Sequence, residues 1–277
     1  MNQRRRLSAY QNRRVCNSDF LRALYYDGRV LQSLTPAAHP TSNVRRVQNT
    51  VRSLLPAFDS GAGLLLTVLL SSDLLFLLLH IVYKTRFISD PLLSLEQDGG
   101  FAEMMQYMKA YWISLLMGWL AFRNRELHYA AWSMLFLYLM ADDWLQVHEQ
   151  LGATLTLKYT IPNAFGLRGV DFGELVVSAA AALLLLPSVC LTFLRASPRV
   201  RTVGTRMAMI LFGIVFFGVG VDVLHSMVNH IRFYGPAATI VEDLGEMIVM
   251  TIGCSYVFGE VLQYRRTGSR SSASQLV

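Results

Sequence analysis

Asp142, Asp143, His148 and Glu149 fall inside eight residues of a largely apolar stretch, DDWLQVHE. Asp222 and His225 bring a second carboxylate and imidazole together three residues apart, and Asp171–Glu174 and Asp243–Glu246 are acidic pairs with the same spacing. On a helix, residues three or four apart share a face, so Asp222 and His225 point one way, and Asp142, Gln146 and Glu149 share a face as well. Carboxylate oxygens with imidazole nitrogens suit Zn, Fe or Mn better than Cu(I). The candidate ligands are therefore Asp142, Asp143, His148, Glu149, Asp171, Asp222, His225 and Asp243. Glu174 and Glu246 are the candidate catalytic groups, carboxylates spare enough to move a proton while a bound divalent metal activates water.

The elements that must hold these residues are apolar. Of the 277 residues 53% are hydrophobic and 16% charged, and the mean hydropathy is +0.36, which argues against an ordinary soluble domain. Six stretches are long enough, at ~20 residues, to cross a bilayer as helices. They are Ala62–Tyr83, Phe101–Phe122, Leu127–His148, Phe172–Leu194, Met207–Asn229 and Leu244–Tyr264. The expected fold is an all-α integral membrane bundle of six transmembrane helices. A cytoplasmic Arg-rich arm over 1–60 precedes the helical domain over 61–264, and a cytoplasmic tail over 265–277 completes the chain. Pro187 predicts a kink in the fourth span.

Lys and Arg set the expected orientation. Nineteen of them lie in the arm, the tail and the loops after the second and fourth spans, against five on the opposite side. The positive-inside rule then places both termini in the cytoplasm and the segment 150–170 outside. A multi-pass inner (plasma) membrane protein is the expectation, or an organellar one in a eukaryote, where the acid-poor arm could be a transit peptide. The net charge of +6 is thus a basic cytoplasmic face on an otherwise acidic molecule, which predicts membrane lipids as partners and no nucleic acid. Cys16, Cys190 and Cys254 are too scattered for a disulfide framework or a CxxC metal site.

The even spans begin alike, with Gly100-Phe-Ala-Glu103, Asp171-Phe-Gly-Glu174 and Asp243-Leu-Gly-Glu246. The odd spans each carry an Asp and a polar residue seven positions on: Asp73 with His80, Asp142 with Glu149, Asp222 with Asn229. The chain therefore reads as three repeated helical hairpins with their polar groups in one outer-leaflet layer. The two Asp-x-x-Glu pairs also fit helix capping with Asp as N-cap. That explanation fails for Asp142, Asp143 and Asp222, which fall late in their spans, near the negative end of a helix dipole.

The motifs DD-x4-HE and D-x-G-E-[LM] resemble those of uncharacterised bacterial inner-membrane proteins over Leu66–Tyr264, a resemblance that implies no activity. Membrane hydrolases of the alkaline ceramidase and progestin-receptor-like superfamily are similar only in holding zinc with His and Asp near one leaflet. This chain lacks their SxxxH and HxxxH motifs and has six expected spans instead of seven. Three functional classes remain open. One is a metal-dependent membrane hydrolase acting on a lipid-like substrate. Another is a cation or proton transporter, channel or sensor. The third is a membrane scaffold subunit.

Overall fold

A computed structural model describes residues 60–163, 167–221, 223 and 234–274. The arm therefore lies outside the described residues, which all fall in the compact unit Leu54–Val277. Seven α-helices organise them: α1 (Ser60–Lys84), α2 (Phe101–Asn124), α3 (Leu127–Leu145), α4 (Val147–Tyr159), α5 (Gly169–Arg195), α6 (Pro198–Val215) and α7 (Tyr234–Ser274). A short 3-10 turn, Pro91–Leu93, precedes α2, and a π-helical turn, Phe216–Val221, extends α6.

Four of these segments are long and apolar enough to cross a membrane: Gly61–Lys84, Gly169–Arg195, Pro198–Val221 and Ala238–Thr267. Gly61–Lys84 and Gly169–Arg195 share a mean hydropathy of 2.3, yet only 17% and 11% of their most apolar windows are buried in the protein. Helices that apolar with so little covered require a nonpolar solvent. Leu64, Leu74, Leu75, Leu183 and Leu184 stand on these exposed faces.

The second and third expected spans do form helices, but their apolarity is interrupted by Glu103 and Lys109 and by the paired Asp142 and Asp143. α2 and α3 make the tightest hairpin. Ser114 Oγ donates to the Ser133 carbonyl at 2.9 Å and Ser133 Oγ to that of Ser114 at 2.8 Å, a reciprocal polar clamp between the two helices. Around it lie Ile113, Met117, Trp132 and Phe136, closed over by Met207 of α6 and Val257 of α7.

Three boundaries differ from the sequence reading. The third span stops at Leu145, because Gln146 turns left-handed (φ 49°) and a new helix starts at Val147. The supposed loop 150–170 therefore carries most of α4. The fifth span begins nine residues early, at Pro198, whose fixed φ favours the first helical position. Finally, α7 runs past Tyr264 to Ser274. Pro187 leaves α5 continuous.

Candidate metal centre

The break at Gln146 builds the site. It folds the start of α4 back against the end of α3, so Asp142, Asp143 and His148 offer ligand atoms all within 4.8 Å of one another. Asp142 is buried, and the other two are half-buried. The His148 backbone N–H donates to Asp142 Oδ1 at 3.1 Å, and His148 Nδ1 lies 3.1 Å from Asp142 Oδ2. With the ring proton on Nδ1, Asp142 orients the imidazole and leaves Nε2 as the free lone pair.

The same geometry corrects the dipole argument. Asp142 and Asp143 do lie at the C-terminal end of α3. They also face the N-terminus of α4, where Asp142 accepts the N–H of the second helical residue. A carboxylate there satisfies an orphan donor and meets the positive end of a dipole. A bound ion is not required to explain Asp142.

Further acids gather around this group. Asp143 lies in the fields of His148, Asp142, Glu103 and Glu149, while Glu246 lies in those of Asp143, Asp243, Glu242 and Glu103. Glu174 lies near His148, Asp171 and Glu149. Half-buried Glu149, the third residue of α4, has its carboxyl raised above the ordinary 4.5, first by burial and then by Asp98. A cavity of about 140 Å³ adjoins them, lined by Asp98, Glu103, Gln106, Asp243 and Glu246 among others. Gln106 Oε1 is buried there with no hydrogen-bond partner among the described residues.

The two capping expectations come out differently. α5 starts at Gly169, so Asp171 is its third residue and accepts from the Arg168 backbone at 2.8 Å and the Arg168 guanidinium at 2.7 and 3.0 Å. It is the N3 acid of a cap, three positions from the expected N-cap role, and its oxygens are engaged. Asp243 and Glu246 cap nothing, because α7 begins nine residues before Asp243. Glu246 instead packs on the π-helical turn, where a Cβ added to Gly218 would lie 3.1 Å from its Oε1. The three similar motifs thus occupy unequal places on their helices. Asp222 and His225 lie outside the described residues.

Sequence reasoning missed two buried polar groups. Lys109, fully buried, is ion-paired with Asp73, which also accepts from Thr251 Oγ1 at 2.6 Å; Lys109 reaches the Met247 carbonyl at 3.3 Å. The signal was present: one Lys inside an apolar stretch needs a carboxylate, and Asp73 is the acid of the first. His128 is the other. Its Nε2 accepts from Trp132 Nε1 at 3.0 Å, and its Nδ1 meets Thr192 Oγ1 at 3.0 Å. His80 is structural too, accepting the Leu95 N–H at 3.0 Å.

A protein-family model described as a domain of unknown function matches residues 61–258, the whole helical region that carries these acids. No curated protein and no solved structure matches the chain.

Proposed function

We propose, for a chain that belongs to the DUF8692 family of domains of unknown function, a multi-pass membrane protein that binds a divalent metal through Asp143 and His148, with Asp142 as ligand or orienting partner. The convergence of those three side chains at the α3–α4 break is the observation that carries this reading. Zn, Fe or Mn fits the oxygen and nitrogen donors. Asp171 stands outside the ligand set because Arg168 occupies it. Glu149 acts on the charge of Asp143, and Asp243 on that of Glu246.

In the fuller form of the proposal, α2 and α3 also cross the membrane, giving six spans, both termini cytoplasmic and the site in the outer leaflet. The partner is then membrane lipid, and the activity is hydrolysis of a lipid-like substrate. A bound ion would supply a water nucleophile. Glu174, which feels the charges of His148 and Glu149, and Glu246, which feels that of Asp143, would be the carboxylates that hold the proton.

The carboxylate-lined cavity with the unpartnered Gln106 oxygen favours a second reading, a cation-binding vestibule of a transporter or sensor. Elemental analysis of protein purified in mild detergent separates the two. The enzyme reading expects stoichiometric transition metal that survives Asp171→Asn and is lost in His148→Ala and Asp143→Asn. Protein that carries none, before or after incubation with Zn, Fe or Mn, removes it.

A further inference from the structure

A larger cavity, about 700 Å³, opens beside the metal group between α2 and the end of α3. Its walls include Met104, Tyr107, Met108 and Tyr111 of α2 and Trp144 of α3, and Asp98 stands on the lining just before α2. The α2 residues form one stripe, since positions 104, 107, 108 and 111 fall on a single helical face. Met104, Met108, Tyr111 and Trp144 are exposed, so the groove opens sideways at the protein surface. Tyr107 OH donates to the Asp143 carbonyl at 3.4 Å and so joins the groove to the metal group.

The volume lies within the ~300–1,000 Å³ usual for small-molecule sites. We propose that the groove binds an amphiphile whose head carries a positively charged nitrogen. The tail lies along Met108, Tyr111 and Met140, and the ammonium sits at the Asp98 end of the groove with Tyr107 and Trp144. Unbranched thioethers adapt to alkyl tails of varied shape. Aromatic faces attract a cation, most strongly when it is a poorly hydrated quaternary ammonium.

Charge decides the sign of the head group. The charges acting most strongly on Glu149 are Asp98, Glu103, Asp142 and His148, and those on Asp143 are likewise carboxylates and His148. An anionic head would enter this field against repulsion, and a neutral one would gain at most a hydrogen bond from Asp98, without the Coulombic attraction. The proposal deepens the metal reading by naming the substrate class of that site. It rests on that reading only for the chemistry after binding, because the groove and its rings exist without an ion.

The test compares three amphiphiles with one tail length, dodecyltrimethylammonium, dodecanol and dodecyl phosphate. Each is offered to the full chain in neutral maltoside micelles, and retention is read by native mass spectrometry. The cation should be held about tenfold more tightly than the alcohol, and Asp98→Asn and Trp144→Ala should each remove most of that preference. Both side chains are exposed, and Trp144→Leu serves if either variant melts early. Equal retention of cation and alcohol, a preference for the phosphate, or selectivity untouched by these substitutions overturns the proposal. Metal content is measured on the same samples. Cation selectivity in protein that takes up no Zn, Fe or Mn sinks the metal reading and keeps the groove, whereas metal-loaded protein without selectivity sinks the groove alone.

Discussion

Lys109 and Asp73 illustrate what a single side chain costs inside this bundle. The pair is removed from water, and Thr251 and the Met247 carbonyl complete its hydrogen bonding. Removing one partner strands the other charge, so Lys109→Met should destabilise the protein by about 3–5 kcal/mol. Adding Asp73→Leu should restore most of the loss, because a well-packed apolar pair is close to neutral against a buried ion pair. Thermal melting of the two variants in detergent checks this, and a double variant no better than the single one refutes it. Glu149 gives a pH-dependent counterpart. Its carboxyl titrates above its ordinary 4.5 in the folded protein, so the group favours the fold most below that value, and the benefit is lost as pH rises through the raised folded value. Glu149→Gln should therefore raise the melting temperature at neutral pH and leave it unchanged near pH ~3, where both states carry the proton.

At the scale of elements, the site depends on α4 lying against α5. Gly152 and Gly173 make that crossing possible, and a Cβ at Gly152 would stand 2.6 Å from the Glu174 backbone nitrogen. Thr156 Oγ1 stitches the same crossing, its one proton shared between the Gly169 carbonyl of α5 at 2.8 Å and the Gly152 carbonyl of its own helix at 2.9 Å. Gly152→Ala should push α4 off α5, cost about 1–3 kcal/mol as overpacking does, and lower metal retention by moving His148. Gly63 in α1 is the control, since a Cβ there meets nothing within 4 Å. Gly63→Ala should be stabilising by ~0.5–1 kcal/mol through helix propensity. Melting curves for both variants test the contrast, which disappears if the α4–α5 crossing is loose. The sequence carried part of this. Gly173 and Gly245, the glycines of the two Asp-x-Gly-Glu motifs, sit against Gly152 and the Phe217 ring. α4 was hidden because DDWLQVHE looks like the end of one continuous span, and nothing local announces a left-handed Gln146.

For the whole molecule, the outstanding question is how many helices cross the membrane. Nineteen basic residues against five predict the termini on one side and Lys158, at the end of α4, on the other. Single cysteines placed at Lys158 and at Arg266, in a chain freed of its native cysteines, should respond oppositely to a membrane-impermeant thiol reagent added to intact cells. Labelling at Lys158 and not at Arg266 fixes the orientation, and a third cysteine at Arg125, between α2 and α3, stays unlabelled with six spans and reacts with four. Labelling at Arg266 would reverse the map and move the acidic layer to the cytoplasmic leaflet.

Composition and periodicity determined that this is a helical membrane-type protein, because long apolar runs have few physical alternatives to a lipid-facing helix. They also marked Asp142, Asp143 and His148 as residues with chemistry to do, since polar groups in apolar runs need partners. Who those partners are was decided by tertiary structure. Arg168 claims Asp171, Asp73 claims Lys109, and the N-terminus of α4 meets Asp142. Local sequence fixes which residues can form a helix, but where one helix stops and the next leans on it depends on contacts distant in the chain. The charge and hydrogen-bond balance of every acid here is set at those contacts.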